Sequence, residues 1–401
     1  MTTTVSTVKR LTVVVSAVVG AGGLAMLPAA FTGAIYAEWG DALALLAAAG
    51  VSVAVGLAGR RLAGSPGSFT VREGFAAVAL SWFVLIGFGV LPYLFAGSFT
   101  GPTNALFETT AGFTTTGATV LDDPSVLSHA MLIWRATTQW VGGMGIIVLS
   151  IAILPMLGAG GVELARAESP GPEPDRLTPR FRDTAKRLWW IYVGLTAIEA
   201  VLLTVGEMSL FQGIAHSLTT MPSGGFGTEP DSLASFSAYT HWVVIAFMVM
   251  TGASFALHFR ALTHPKAYLE NKEFLGYISI VAGGALAIGL GTWSMPTAAG
   301  RTVRDAIFSS AALVTTTGYT TVDWAAWAPG VLMVVLVLMF LGGMAGSTAG
   351  GIKTYRIGVL YKTIGSSLKR IIYPSIVSVQ RFGGKAVEPR LVHGVVAFFI
   401  L

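Results

Sequence analysis

Hydrophobic residues in this chain come in long unbroken runs, without the polar face that a water-exposed helix needs. The runs lie at about 11–36, 42–59, 74–97, 126–157, 187–206, 238–259, 274–294, 328–360 and 391–401, each uncharged or nearly so. Crossing a bilayer takes about 20 apolar residues in a helix, and most of these runs reach that length. Shorter, semi-polar segments at about 101–118, 209–225 and 302–319 cannot span, and each ends in a Thr/Ser/Gly cluster.

The short segments form an internal repeat. ALFETTAGFTTTGAT at 105–119 aligns without a gap with AIFSSAALVTTTGYT at 306–320, an offset of 201 residues. A weaker copy, SLTTMPSGGFGT at 217–228, places Gly224 opposite Gly117 and divides the offset into 107 and 94. The predicted unit is an outer helix, a half-helix entering the membrane, an extended strand, and an inner helix.

Composition agrees with lipid as the solvent. The chain of 401 residues is 53% hydrophobic and 11% charged, less than half of the roughly 25% charged residues typical of soluble domains. Its mean hydropathy is +0.70 and its pI about 9.5. A net charge of +5 does not point to nucleic acid, because the charges segregate by loop. Lys9, Arg10, Arg60, Arg61, Arg72, Arg260, Lys266 and Lys272, with the clusters at 166–187 and 353–390, fall on one side. The other side keeps Arg135, Arg301 and Arg304 and collects acids such as Glu38, Asp41, Glu108 and Glu207. Basic residues mark the cytoplasmic face, so the N-terminus is expected in the cytoplasm of a plasma (inner) membrane protein. The first run exceeds the apolar core of a signal peptide, about 7–15 residues, and reads as a permanent span. With no cysteine, neither disulfides nor thiolate metal sites are available.

A half-helix dipping into the membrane aims its partially negative C-terminus at the midplane, where it favours a cation. The extended residues after it carry carbonyls that lipid cannot satisfy, and such backbone is tolerated only where protein buries it or it lines water. Carbonyls ringed about an axis replace the hydration shell of potassium. Candidate ligands are Thr115, Thr116 and Gly117; Pro222, Ser223 and Gly224; and Thr316, Thr317 and Gly318. Small residues also serve helix packing, but three such clusters in register favour the filter. Acids follow each filter glycine: Asp122 and Asp123, Glu229 and Asp231, and Asp323. They are either a negative collar that concentrates cations or ordinary solvated loop acids.

Glycines 342, 343, 346, 350 and 351 interrupt the run at 328–360. Each costs about 1 kcal/mol relative to alanine in a helix interior, so a break is expected, serving as an intramembrane gate or as a close helix crossing. Glu199 falls inside a span, where ionisable groups are costly; a hydrogen-bonded neutral carboxyl is expected over a proton or water route. Arg135 is expected to snorkel toward the interface. Histidines 129, 216, 241, 258, 264 and 393 show no metal-ligand spacing, and no arrangement of catalytic residues is evident, so an enzyme is not expected.

GFTTTGATVL at 112–121, WRATTQWVGGMGIIVLSIAILP at 134–155, SGGFGT at 223–228, TTTGYTT at 315–321 and GSTAGGIKTYR at 346–356 together resemble the TrkH family of the Trk/Ktr/HKT potassium transporter superfamily. The resemblance implies an all-α membrane protein whose helix, pore-loop, helix repeats surround a pseudo-fourfold pore, preceded by two extra helices. Boundaries follow as 1–62 for the extension, 63–160, 187–262 and 263–365 for three repeats, 161–186 and 366–390 for cytoplasmic linkers, and 391–401 for the start of an incomplete fourth repeat. It further implies a homodimer docked on a TrkA-like cytoplasmic nucleotide-binding regulator, no cofactor, and potassium as the bound and transported ion. Serine at the first filter position accompanies sodium preference in that family, and Gly117 points to potassium. The last run is short of a bilayer span, about 17 Å at 1.5 Å per residue, so the chain is expected to be a fragment. Two other functions stay open: a proton- or sodium-coupled symporter, and a non-conducting scaffold for a cytoplasmic regulator.

Overall fold

The computed structural model describes residues 2–63, 70–153, 181–293, 299–373, 381–382 and 385–386. The expected linker at 161–186 falls outside the described residues as far as 180, and the run at 391–401 falls outside them entirely.

The described chain is almost wholly helical. Two helices, α1 (Thr2–Ala25) and α2 (Leu27–Ile35), form the first span with a break at Met26, where Pro28 opens the second helix. Helix α3 (Trp39–Ala63) returns along them. Helix α4 (Val71–Gly89) starts at a capping box, in which the Thr70 hydroxyl and the Glu73 carboxylate satisfy each other's backbone N–H. It continues into α5 (Leu91–Ala96), which Gly97 ends in a left-handed turn. Next come α6 (Pro102–Phe113) and α7 (His129–Ile153).

The same order then recurs. Helix α8 (Phe181–Gly206) precedes α9 (Leu210–Thr220), whose start is a Ser209–Gln212 capping box, and α10 (Ala238–Thr251) follows. After α11 (Phe255–Thr263) and the single turn α12 (Ala267–Glu270), α13 (Lys272–Thr292) leads to α14 (Ala299–Val314) and α15 (Pro329–Phe340). Last is α16 (Thr354–Ile372); residues 381–382 and 385–386 form a minimal antiparallel pair.

Five helical segments among the described residues have the length and composition of spans: Thr7–Ile35, Trp39–Ala63, Arg72–Ala96, Ala185–Gly206 and Lys272–Thr292. Large apolar side chains point out of the bundle, among them Phe31, Leu43, Phe83, Val205 and Leu290. In water such a surface would drive association; in a bilayer it meets acyl chains.

The run at 238–259, which reads as one span, is bent by 100° between α10 and α11. The break falls at 252–254, where the Gly252 carbonyl accepts from the Met344 N–H at 2.8 Å and so serves another part of the chain. Similarly, α15 stops at Phe340 and helix resumes only at Thr354.

The extension is fastened to the rest at both ends. Arg10 pairs with Glu73 at 2.5 Å. At the opposite end both Glu38 oxygens cap the start of α7, accepting from the His129 and Ala130 N–H groups at 2.9 Å, while Oε1 also meets His129 Nδ1 at 2.8 Å. Burial alone would raise the Glu38 carboxyl, but the Ala130 N–H and the His129 side chain and N–H hold it below its ordinary value.

Candidate functional site

The half-helices α6, α9 and α14 each hand over to an extended strand, and the three strands share one backbone pattern. Thr115, Ser223 and Thr316 have positive φ of 55°, 57° and 57°; two residues later Gly117, Gly225 and Gly318 have φ of 73°, 76° and 79°. Hydrogen bonds give the same alignment. Thr115, Ser223 and Thr316 donate to the carbonyl three residues back, at 2.9, 2.8 and 3.0 Å, and Gly225 and Gly318 to the carbonyl six back, at 3.2 and 3.1 Å.

This pattern corrects the register expected for the second strand. Gly225, not Gly224, is the counterpart of Gly117 and Gly318, and the triplet matching Thr115, Thr116 and Gly117 is Ser223, Gly224 and Gly225. Pro222 shifts back one place, opposite Thr114 and Thr315. Two adjacent glycines left the alignment open by one residue, and only the backbone angles separate them.

The strands also pack on one another in order. A Cβ added at Gly117 would fall on the Gly224 carbonyl oxygen, and one at Gly225 on the Thr317 carbonyl oxygen. The first contact joins strand 1 to strand 2 and the second repeats it between strands 2 and 3. Only glycine combines this approach with a left-handed backbone. Among the described residues no hydrogen bond is made to the carbonyl oxygens of Thr115, Thr116, Gly117, Ser223, Gly225, Thr316, Thr317 or Gly318. Peptide oxygens at membrane depth that no donor satisfies suit a dehydrated cation.

Strong groups stand behind the strands. Arg135, expected to snorkel, is instead 2% exposed, because the protein offers it a partner. Its Nε donates to Glu108 Oε1 at 2.6 Å, its Nη1 to the Gly227 carbonyl at 3.0 Å, and its guanidinium lies 3.4 Å from the centroid of the Phe226 ring. Glu108 also accepts from the Thr119 hydroxyl at 2.8 Å and the Val120 N–H at 3.1 Å. Tyr319 Oη meets Thr219 Oγ1 at 2.6 Å, tying strand 3 to α9. Glu199 is fully buried on α8 beside Thr220, but that hydroxyl goes to the His216 carbonyl at 2.8 Å. Neither carboxyl oxygen of Glu199 has a partner within hydrogen-bond distance among the described residues.

The glycine-rich segment between α15 and α16 folds back against the strands. The Gly350 N–H donates to Thr316 Oγ1 at 2.6 Å, and Thr348 Oγ1 donates to the Met221 carbonyl at 3.1 Å and lies 3.1 Å from Ser223 Oγ. Gly346 and Gly351 have positive φ, and the Gly342 N–H closes the segment onto the Ile352 carbonyl at 2.9 Å. The Gly343 carbonyl accepts from the Thr354 N–H at 3.1 Å. Lys353 Nζ donates to the Ala349 carbonyl, and Glu273 Oε1 receives the Ala345 N–H at 2.8 Å.

The acids behave unequally. Asp123 and Asp323 cap matching short turns through the Ser125 and Ala325 N–H groups, at 2.8 and 2.9 Å, and Glu229 accepts from Gln212 at 3.0 Å. Asp231 and Asp323 line one open cleft with Thr320, Thr321 and Trp324, which Asp122, Asp123 and Glu229 do not join. In the nearby loop, burial would raise Glu207, but the Ser237 N–H and hydroxyl and the Thr240 hydroxyl hold it below its ordinary value.

The family model for TrkH, described as a cation transport protein, matches residues 52–282 and 288–401. The Trk system potassium uptake protein TrkH of Escherichia coli K12 is 40% identical over 343 residues, 83% of this chain and 70% of that protein. TrkI of Halomonas elongata, also a Trk system potassium uptake protein, is 34% identical over 369 residues, 89% of this chain and 73% of the relative. The crystal structure of the potassium transporter TrkH from Vibrio parahaemolyticus superposes with a TM-score of 0.88 at 33% identity, covering 98% of this chain and 82% of that one.

Proposed function

The chain belongs to the TrkH family of cation transport proteins, and from that membership and the site's geometry we propose that it takes up potassium across the membrane through the three facing strands. The observation that carries this reading is the recurring strand: left-handed backbone at alternate residues, Gly117 and Gly225 each against the next strand's carbonyl, and peptide oxygens without donors. Potassium, the transported ion, needs oxygen ligands at close to its hydration geometry and no covalent chemistry. The ligands are the peptide oxygens of Thr115, Thr116 and Gly117, of Ser223 and Gly225, and of Thr316, Thr317 and Gly318.

The glycine-rich segment at 342–351 acts as the gate. Its contacts with Thr316 and Ser223 support a closed path on that side of the strands, and hydrogen bonds this few can be exchanged for water when the segment moves. Asp231 and Asp323 support cation attraction at the opposite mouth. The N-terminus is cytoplasmic in the inner membrane, following the distribution of basic loops. A TrkA-like nucleotide-binding regulator and a second copy of the chain complete the assembly. Support for a partner comes from α16, a basic helix with Tyr361, Ile364, Leu368 and Ile371 exposed.

The test is ion flux in proteoliposomes containing the full-length protein and its regulator. Potassium-selective current that reverses at the potassium equilibrium potential, whatever the proton or sodium gradient, is the expected result. Reversal that tracks either gradient would replace the passive pathway by a coupled symporter, and absence of flux would leave the scaffold.

A further inference from the structure

Strands 1 and 3 brace themselves with threonine hydroxyls. Thr114 Oγ1 lies 2.7 Å from Thr116 Oγ1, and Thr315 Oγ1 lies 2.8 Å from Thr317 Oγ1. Strand 2 has Pro222 and Gly224 at the corresponding places and no hydroxyl at either. Its backbone at membrane depth still needs partners.

Gln139, on α7, stands where that side chain is missing. It is 0% exposed, its Nε2 donates to the Gly224 carbonyl at 2.8 Å, and its Oε1 accepts from the Phe226 N–H at 3.2 Å. One amide thus engages alternate peptides, the pattern that a neighbouring β-strand would offer. A Cβ at Gly224 would collide with the Gln139 carboxamide, so the glutamine fills the volume that Thr116 and Thr317 fill with their own side chains. Gly224 has no positive φ; its glycine is demanded by Gln139, not by backbone angle. One helical turn earlier on α7, Arg135 holds the same strand at Gly227. The counterpart of Gln139 in the third repeat, by the offset of 200 residues that relates Asp123 to Asp323 and Gly142 to Gly342, is Met339, which cannot do this.

We infer that Gln139 is a positioning residue for ion selectivity: a borrowed side chain of strand 2 that holds the Gly224 peptide and thereby the spacing of the ligand oxygens of Ser223 and Gly225. The inference rests on the potassium-path reading above. Because the Gly224 oxygen also meets Gly117, a slack strand 2 would loosen its contact with strand 1, and discrimination between potassium and sodium depends on how firmly the oxygens are held.

The experiment measures sodium-to-potassium permeability ratios and absolute fluxes for the full-length protein in proteoliposomes. Gln139→Ala should raise the ratio about tenfold, equivalent to about 1.4 kcal/mol. Gln139→Ala combined with Gly224→Thr, which returns a threonine to the strand, should bring the ratio back to within about threefold of the parent, about 0.65 kcal/mol. Trp140→Phe removes the neighbouring Trp140 Nε1 to Thr196 Oγ1 bond of 3.1 Å on the same helix and should leave the ratio unchanged even if less protein folds. A parent protein with no preference for potassium would sink the proposed function and this inference with it. A selective parent whose Gln139→Ala variant keeps the same ratio, or loses both fluxes in proportion, would overturn the inference alone, as would a double variant no better than the single one.

Discussion

Removing the Glu108 carboxylate should be among the most damaging single changes in this protein. Glu108 and Arg135 have side chains 0% and 3% exposed, so water cannot take over either charge. Glu108→Leu would strand the guanidinium, and deleting one partner of a buried pair costs about 3–5 kcal/mol. It also removes the acceptor for the Thr119 hydroxyl and the Val120 N–H, each worth about 1 kcal/mol. The single variant should therefore lose about 5–7 kcal/mol, most of the 5–15 kcal/mol by which folded proteins are stable. Replacing both partners by apolar residues of similar volume is often neutral, so Glu108→Leu with Arg135→Met should recover the part of the loss that comes from the stranded guanidinium. What remains is the Gly227 carbonyl without its donor, about 1–3 kcal/mol, and the Thr119 hydroxyl and Val120 N–H without their acceptor, about 1 kcal/mol each. Reversible unfolding in mixed micelles, read by tryptophan fluorescence, measures all three variants. A single-variant cost below about 1 kcal/mol, the range of an exposed pair, would refute the reasoning, as would a double variant that is worse than the single one.

Gly225→Ala should abolish selective flux while Gly224→Ala, though crowding Gln139, keeps part of it, because a left-handed alanine costs about 1–2 kcal/mol and its methyl would strike the Thr317 carbonyl; equal effects in potassium flux assays would restore the sequence-based register. Gly117→Ser should raise sodium relative to potassium permeability, since Gly117 abuts the Gly224 carbonyl, and an unchanged ratio would count against its role. Deleting residues 346–351 should increase basal flux, because the bond from Gly350 to Thr316 goes with them; reduced flux in well-folded protein would favour a packing role. Glu38 is held below its ordinary value of 4.5, so its cap on α7 contributes stability above that pH and loses it as the pH falls through the lowered value. Hydrogen exchange at the start of α7 should rise at that acid step in the parent, and Glu38→Gln should remove the step.

The spans and the half-helices were legible because lipid imposes a one-dimensional rule: length and apolarity decide what crosses and what does not. The short segments predicted at 101–118, 209–225 and 302–319 contain most of α6, α9 and α14. The glycine cluster at 342–351 likewise marks a stretch that is not helical, as local propensity alone would have it.

Tertiary structure alone decided the rest. Which of Gly224 and Gly225 takes the left-handed conformation depends on a carbonyl 92 residues away from Gly225 in sequence, that of Thr317. The bend of 100° after α10 is invisible in hydropathy, because the group that satisfies its freed carbonyl is the Met344 N–H. Arg135 looked like an interfacial charge until Glu108, Gly227 and Phe226 were brought around it, whereas the carboxyl oxygens of Glu199 meet no partner within hydrogen-bond distance among the described residues. Hydrophobicity is a property of each residue and is summed along the chain, whereas the fate of a polar group in a low-dielectric interior is set by whichever distant donor or acceptor the fold delivers to it.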